Sequence, residues 1–144
     1  MSNVLIIEDE KDTAIPVQQA LALEDIKADI ATDGATGIQM FRDNSYDLVL
    51  LDLKMPKMSG EDVLKELRKI DPFVDVVIYT NYTEFADIKK LTNIGIDGYI
   101  NKGPDADLSE LIETIKEKLA PLDETDIAAM IKDLPRNIYS DNED

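Results

Sequence analysis

Side chains that could do phosphoryl chemistry follow four short apolar segments of the chain. Glu8 and Asp9 come after the first segment, Asp52 after the second, Thr80 after the third and Lys102 after the fourth. If the segments are parallel strands, their carboxyl ends meet at one edge of a sheet and these side chains lie together. The clustered carboxylates would repel one another and need a positive counter-charge, from a divalent cation and an ammonium. One carboxylate could then attack a phosphoryl group, while a hydroxyl and the ammonium hold its oxygens.

The absence of two residue types restricts the metal. The chain has neither cysteine nor histidine, so thiolate and imidazole ligands are excluded. Only oxygen ligands remain, and these favour a hard cation such as Mg²⁺, Mn²⁺ or Ca²⁺.

Asp52 is the most informative of the acids. It directly follows Val49-Leu50-Leu51 and precedes Leu53. An acid at the end of an apolar run costs free energy unless it has a partner. A single acid after a strand is usually a solvated loop residue, and a single lysine is usually a surface charge. The coincidence of acids, hydroxyl and lysine at four strand ends is what favours a functional site.

Five strands and five helices are predicted in alternation. Four strands are short and apolar, as buried parallel strands are, and Lys27–Thr32 alternates like a half-exposed edge strand. The buried strands are Val4–Ile7, Leu48–Leu51, Val74–Tyr79 and Gly98–Ile100, and the helices are Thr13–Leu23, Gly34–Asn44, Glu61–Ile70, Glu84–Asn93 and Asp107–Leu119. Pro16 would fall in the first turn of its helix, where a missing N–H costs little. The order predicts an α/β fold, a doubly wound parallel sheet with helices on both faces.

A C-terminal extension follows residue 120. Residues 123–134 are expected to form a short sixth helix, with Ile127, Met130, Ile131 and Leu134 on one face. The remaining tail is polar and acidic, and we expect it to be disordered. The domain itself is therefore assigned to residues 1–120 and the extension to residues 121–144. The extension could cover the domain's own surface, or form a homodimer or partner contact.

The overall charge limits the classes of partner. The formal net charge is −16 in 144 residues, which disfavours nucleic acid and anionic membranes as binding partners. The sequence shows neither a signal peptide nor a membrane-length apolar segment. We expect a cytoplasmic protein that acts through contacts with other proteins.

With these residues in place, the sequence resembles the receiver domain of two-component response regulators. Ile6-Ile7-Glu8-Asp9-Glu10 is similar to the family's acidic motif, and the segment from Leu50 to Gly60 is similar to its phosphoacceptor loop. Thr80 matches the switch hydroxyl, and Gly98-Tyr99-Ile100-Asn101-Lys102 matches the segment with the switch aromatic and the lysine. The resemblance covers roughly residues 3–120 and implies a flavodoxin-like sheet of order 2-1-3-4-5.

The resemblance implies a role for each matching residue. Asp52 would accept a phosphoryl group from a histidine kinase, a histidine phosphotransfer protein or a small phosphodonor. Asp9, Asp52 and the backbone carbonyl of Lys54 would bind Mg²⁺, for which Mn²⁺ could substitute, and Glu8 would help through a water. Thr80 and Lys102 would contact the phosphoryl oxygens. Tyr99 would turn inward with Thr80 and change the surface of helix 4, strand 5 and helix 5, which would regulate a downstream protein.

The sequence departs from the family's usual pattern around the acceptor. Asn81 stands where a small residue is usual, and the bulky Tyr82 follows it. Together with Lys54, these two are predicted to set the lifetime of the phosphate. Lys102 is followed by Gly103-Pro104 instead of directly by proline, which bears on the cis-proline turn usual in this loop.

The sequence disfavours two other functions, a phosphatase and an electron carrier. A phosphatase of the haloacid dehalogenase type needs a second aspartate two residues after the nucleophile, where this chain has Lys54. A flavodoxin-type electron carrier needs a phosphate-binding loop after strand one, where Glu8 and Asp9 would repel the phosphate. A phosphorylation-independent scaffold and a fragment of a longer transcriptional regulator remain as alternatives. The expected protein is a stand-alone switch of the chemotaxis type, and not an enzyme beyond its own phosphorylation and dephosphorylation.

Overall fold

A computed structural model of the chain describes residues 2–81, 85–102 and 108–120. Within these ranges, strands and helices alternate five times along the chain. The strands are β1 (Asn3–Ile7), β2 (Lys27–Ala31), β3 (Leu48–Leu51), β4 (Asp75–Thr80) and β5 (Gly98–Asn101). The helices are α1 (Lys11–Ala22), α2 (Gly34–Asp43), α3 (Gly60–Ile70), α4 (Phe85–Ile94) and α5 (Leu108–Leu119). The predicted order of elements is confirmed, with boundaries that differ by at most two residues.

The five strands form one parallel sheet in the order β2-β1-β3-β4-β5. Strand β1 pairs with β2 on one side and with β3 on the other, so that Ile7 lies opposite both Ala31 and Leu51. Strand β2 is thus added on one side of β1, and the later strands are added on the other side. The crevice between the carboxyl ends of β1 and β3 is therefore the place where such sheets bind their ligands. The predicted doubly wound fold and the strand order are confirmed.

Helices cover both faces of the sheet. One buried cluster joins the sheet to α1 and α5, through residues such as Val17 and Ile115. A second cluster joins the opposite face to α2, α3 and α4, through residues such as Phe41, Leu64 and Leu91. Strand β3 is buried over its whole length, because both of its faces lie under helices.

The first helix begins earlier than predicted. The carbonyl of Glu10 accepts hydrogen bonds from the N–H groups of Thr13 and Ala14, both at 3.0 Å, and α1 starts at Lys11. Pro16 therefore lies inside the helix and not in its first turn, so this prediction was wrong. The helix tolerates it because Pro16 is exposed, and the carbonyl that loses its donor, that of Asp12, is on an exposed residue where water can replace the bond.

Two helix starts are fixed by side chains that accept a hydrogen bond. The Asp33 carboxylate accepts from the Thr36 N–H at 2.7 Å, and the Ser59 hydroxyl accepts from the Asp62 N–H at 3.2 Å. Each satisfies a backbone donor that has no partner within the helix. The hydrogen bonds from Thr36 also lower the pKa of Asp33. Ser59 fixes the start of α3, which follows the loop carrying Asp52.

The predicted sixth helix at residues 123–134 and the acidic tail lie outside the described residues. Within the part of the chain that the structure describes, no helix combines the length and the apolar character needed to cross a bilayer.

Candidate functional site

Three carboxylates meet at the carboxyl ends of β1 and β3. One carboxylate oxygen from each of Glu8, Asp9 and Asp52 lies within 4.8 Å of the other two. Glu8 and Asp52 are only 3% and 6% exposed, whereas Asp9 is half-buried. The sheet fixes their backbones, because the Asp52 N–H donates to the Ile7 carbonyl at 3.1 Å. The predicted convergence of these acids is what the structure shows.

Lys102 brings a positive charge to the same cluster from the end of β5. Its ammonium contacts a carboxylate oxygen of Glu8 and lies 3.5 Å from Oδ2 of Asp52. The Lys102 N–H donates to the carbonyl of Thr80 at 2.8 Å, which fixes the backbone that carries the side chain. Only 16% of the Lys102 side chain is exposed, so solvent screens these ion pairs less than it would at the surface.

The cluster carries excess negative charge. Burial raises the pKa of Glu8 to about 7, since water that would solvate its carboxylate is excluded; the hydrogen bond from Lys102 opposes this effect and the charge of Asp52 adds to it. With all groups ionised, three carboxylates and one ammonium leave a charge of −2. A divalent cation bound by oxygen atoms would balance that charge, so the donor set fits such an ion.

Thr80 is the last residue of β4 and is fully buried. Its register partner on β5 is Asn101, and two residues earlier Ile78 pairs with Tyr99. Since side chains alternate along a strand, Thr80 and Ile78 point to the same face of the sheet. Tyr99 packs against the cluster on that face, under α2, α3 and α4. It is half-buried, and burial raises its pKa. The predicted switch pair therefore lies on one face of two neighbouring strands.

The loop after Asp52 is held tightly against the start of α3. The Lys54 N–H donates to Oδ1 of Asp52 at 3.3 Å, and the Gly60 N–H donates to the carbonyl of Leu53 at 3.0 Å. A Cβ at Gly60 would lie 2.5 Å from Cα of Leu53 and 2.6 Å from the carbonyl oxygen of Asp52. Only glycine allows this approach, so Gly60 fixes the height of the acceptor above the helix.

An open cleft of about 540 Å³ gives access to the acids. Its walls come from four of the segments that follow strands, and they are Glu10, Thr13, Asp52, Lys54, Met55, Pro56, Asn81 and Lys102. Asn81 and Lys54 are therefore placed beside Asp52, as the sequence suggested. Tyr82, Gly103 and Pro104 lie outside the described residues. The role of Tyr82 and the form of the turn after Lys102 therefore stay predictions.

Two contributors to the site were missed in the sequence. Gly60 belongs to the phosphoacceptor motif, which by itself predicts no packing role for it; the available signal is that glycine is the residue that allows close approach of a backbone. The sequence pattern predicts Tyr79 only as a strand residue. Its ring lies under the Lys102 ammonium, with 5.2 Å between Nζ and the ring centroid. An aromatic residue directly before a strand-end hydroxyl was the available signal.

Comparisons with known proteins agree with this geometry. A sequence model described as the response regulator receiver domain matches residues 4–116. The chain is 36% identical over 113 residues to the transcriptional regulatory protein DltR of Streptococcus agalactiae, a match that covers 78% of this chain and 50% of that protein. It is 36% identical over 119 residues to the sensory transduction protein RegX3 of Mycobacterium tuberculosis, which covers 83% of this chain and 51% of that protein. The chain thus spans about half the length of these curated relatives.

Solved structures show the same similarity. A CheY-like receiver domain protein from Methanospirillum hungatei superposes with a TM-score of 0.78 at 28% identity, over 83% of this chain and 94% of that one. The response regulator TrrA of Thermotoga maritima, solved in complex with Mg²⁺-BeF, superposes with a TM-score of 0.72 at 30% identity, over 83% of this chain and all of that one.

Proposed function

The chain belongs to the response regulator receiver domain family, and on that premise we propose that Asp52 accepts a phosphoryl group and so operates a signalling switch. One observation carries the proposal. Asp52 is buried beside two further carboxylates and within 3.5 Å of the Lys102 ammonium, at the floor of an open cleft. A buried acid with only a structural role needs one partner for its charge. Here three carboxylates share one ammonium beside an open cleft, which is an arrangement typical of a functional site.

The proposed reaction is a phosphoryl transfer to a carboxylate oxygen. An oxygen of Asp52 attacks the phosphorus of a phosphohistidine or a small phosphoramidate, the P–O bond forms and the P–N bond breaks. The electron pair of the broken bond stays on the donor nitrogen, which takes up a proton. Lys102 stabilises the charge on the phosphoryl oxygens, and the buried hydroxyl of Thr80 would hold another of them. The donor supplies the energy, and this chain supplies position and charge.

Glu8, Asp9 and Asp52, together with the backbone carbonyl of Lys54, are the groups that would hold Mg²⁺. An ion at that place would neutralise the phosphoryl oxygens as the two anionic partners approach. Support comes from the spacing and chemistry of the three carboxylates, and from TrrA, whose structure is a complex with Mg²⁺-BeF. Mn²⁺ prefers similar oxygen ligands and should substitute.

The output would be a change of surface. Movement of Thr80 toward the phosphoryl group would open space on the face that it shares with Tyr99. An inward turn of Tyr99 would then alter the surface of α4, β5 and α5, which a partner protein reads. Phosphorylation would thus shift the domain between two conformations, because the phosphoryl group stabilises one of them.

The proposed phosphoryl transfer implies two kinds of partner protein, a donor and a target. We propose a histidine kinase or histidine phosphotransfer protein as the donor, and a protein target for output. DltR is named a transcriptional regulatory protein, but the net charge of −16 makes direct contact of this chain with DNA unfavourable. A homodimer formed on phosphorylation would be one form of the output.

The test is phosphorylation with phosphoramidate or acetyl phosphate in the presence of Mg²⁺, followed by intact mass. We expect a gain of one phosphoryl group, abolished by Asp52→Asn and by a chelator of divalent cations. Asp29→Asn is a matched control, because Asp29 is also an acid of the sheet but lies on β2 and bonds to Tyr46. Failure of the wild-type protein to gain mass with any donor would favour a phosphorylation-independent scaffold.

A further inference from the structure

The aromatic ring of Tyr79 lies directly against the positive charge of the site. Nζ of Lys102 is over the ring, 5.2 Å from its centroid. The side chains of Lys102 and Glu8 are 16% and 5% exposed, and Tyr79 is 7% exposed. This cation and this ring therefore face each other largely out of water, where cation–π attraction is strongest.

The sheet brings these two residues together. Tyr79 pairs with Ile100 in the parallel ladder between β4 and β5. Lys102 follows Ile100 by two residues, so the alternation of the strand turns its side chain to the same face. The Lys102 N–H donates to the Thr80 carbonyl at 2.8 Å, which extends the pairing to Lys102 itself. The Lys102 side chain and the tyrosine ring therefore lie on the same face of the sheet.

A lysine side chain in an open cleft has many rotamers, and fixing it costs conformational entropy. Here the ammonium lies over the ring and, at the same time, within ion-pair distance of Glu8 and Asp52. We propose that Tyr79 is a positioning residue, whose ring holds the Lys102 ammonium between Glu8 and Asp52, where an incoming phosphoryl group would meet it. The ring face does this, and the hydroxyl is not required.

The choice of variants follows from the packing. A cavity of about 10 Å³, lined by Tyr79, Glu8, Thr13 and Asp52 among others, lies beside the acids. Truncation to alanine would enlarge that cavity and admit water. Tyr79→Leu instead removes the ring and keeps most of the volume, whereas Tyr79→Phe keeps the ring and removes only the hydroxyl. Ile115→Ala is the control for lost packing, because Ile115 is a fully buried member of the same cluster on α5.

The first measurement is independent of phosphorylation. A proton over a ring face is shifted upfield, so NMR of protein labelled at lysine should show upfield ε-methylene signals for Lys102, assigned by their loss in Lys102→Arg. We expect the shift to persist in Tyr79→Phe and Ile115→Ala and to vanish in Tyr79→Leu. A Lys102 signal at the ordinary lysine position in the wild-type protein would overturn the proposal.

The second measurement rests on the proposed function. With saturating phosphoramidate and Mg²⁺, Tyr79→Leu should lower the maximal phosphorylation rate by roughly thirtyfold, the fold-change that corresponds to the ~2 kcal/mol of a desolvated cation–π interaction. Tyr79→Phe should restore the rate, and Ile115→Ala should leave it near that of the wild type despite its lower stability. An equal loss of rate in Ile115→Ala, or no loss in Tyr79→Leu, would overturn the role of Tyr79. Absence of phosphorylation in the wild-type protein would instead overturn the proposed function, and the NMR result would then stand by itself.

Discussion

Lys102 and Asp52 are fifty residues apart in the chain, yet the ammonium of one lies 3.5 Å from a carboxylate oxygen of the other. The ends of β5 and β3 produce this approach, although β4 lies between them in the sheet. The ammonium also contacts Glu8, so a single cation is shared by two buried acids. The charge that would meet a phosphoryl group is therefore already in place before any donor arrives.

Removing this ammonium should slow phosphorylation. We expect Lys102→Gln to lower the maximal rate with phosphoramidate by about a hundredfold, the usual cost of losing one group that stabilises developing charge. The same variant should bind Mg²⁺ more tightly, because Lys102 no longer competes for the carboxylates. Intact mass against time gives the rate, and calorimetric titration gives the metal affinity.

Lys65→Gln is the control for these measurements. Lys65 lies on α3, outside the acidic site, and forms a solvent-accessible ion pair with Glu61 of the same helix. Equal phosphorylation rates for Lys102→Gln and the control would show that Lys102 takes no part in the reaction.

Asn81 is exposed and lines the cleft above Asp52. If it restricts the approach of water to the acyl phosphate, Asn81→Ala should shorten the lifetime of the phosphorylated protein. The decay of the phosphorylated mass after removal of the donor measures this lifetime. Decay at the wild-type rate would show that Asn81 does not shield the phosphate.

Gly60 sets how closely α3 approaches the acceptor loop. Gly60→Ala would place a Cβ 2.5 Å from Cα of Leu53 and 2.6 Å from the Asp52 carbonyl oxygen, and neither backbone atom can rotate away. We expect a loss of about 1–3 kcal/mol in the free energy of unfolding, and slower phosphorylation because Asp52 is displaced. Denaturation in urea and the phosphorylation rate are the two measurements.

The matched control is Gly98→Ala, where the nearest atom to a new Cβ is a Val77 methyl at 3.4 Å, an ordinary contact distance. A Gly60→Ala variant as stable and as fast as this control would contradict the packing argument.

Arg68 ties the end of α3 to two other segments. Its guanidinium donates to the carbonyls of Gly95 and Val74 and to the carboxylate of Asp97, at 2.6–3.2 Å. A lysine cannot make these bonds at once, since it lacks the planar fork. Arg68→Lys should therefore lower the free energy of unfolding by about 2 kcal/mol, measured in urea. Lys69→Gln, which alters only an exposed pair, should cost much less. Similar losses in both variants would make the guanidinium geometry irrelevant.

Asp75, at the start of β4, gives a prediction about pH. Partial burial raises its pKa above the ordinary value of 3.8, the charge of Asp97 adds to the rise, and Lys118 and Arg68 oppose it. A raised pKa in the folded protein means that folding disfavours the ionised carboxylate, so the cost exists above the folded pKa and disappears below 3.8. Asp75→Asn should therefore raise the melting temperature at pH 7 and give no gain near pH 3. An equal gain at both values would point to packing instead of charge.

The local sequence was enough to predict the elements and the chemistry. Short apolar or alternating runs of three to six residues and helical stripes are local patterns, and they predict five alternating strands and helices. The residue types at the strand ends predicted an acidic site, and a parallel sheet necessarily gathers those ends at one edge. The start of α1 was predicted wrongly because the helix is fixed by hydrogen bonds to the Glu10 carbonyl, which no side-chain pattern reveals.

Distances between elements were decided by the tertiary structure alone. That Lys102 is shared by Glu8 and Asp52, and that the ring of Tyr79 lies against it, depends on how β1, β3, β4 and β5 align in the sheet. The approach of Gly60 to the Asp52 carbonyl depends on how deeply α3 packs. The contacts of Lys102 join residues far apart in the chain, and that of Gly60 joins a helix to the loop before it. Both arise from burial and register, which a linear pattern of residue types does not contain.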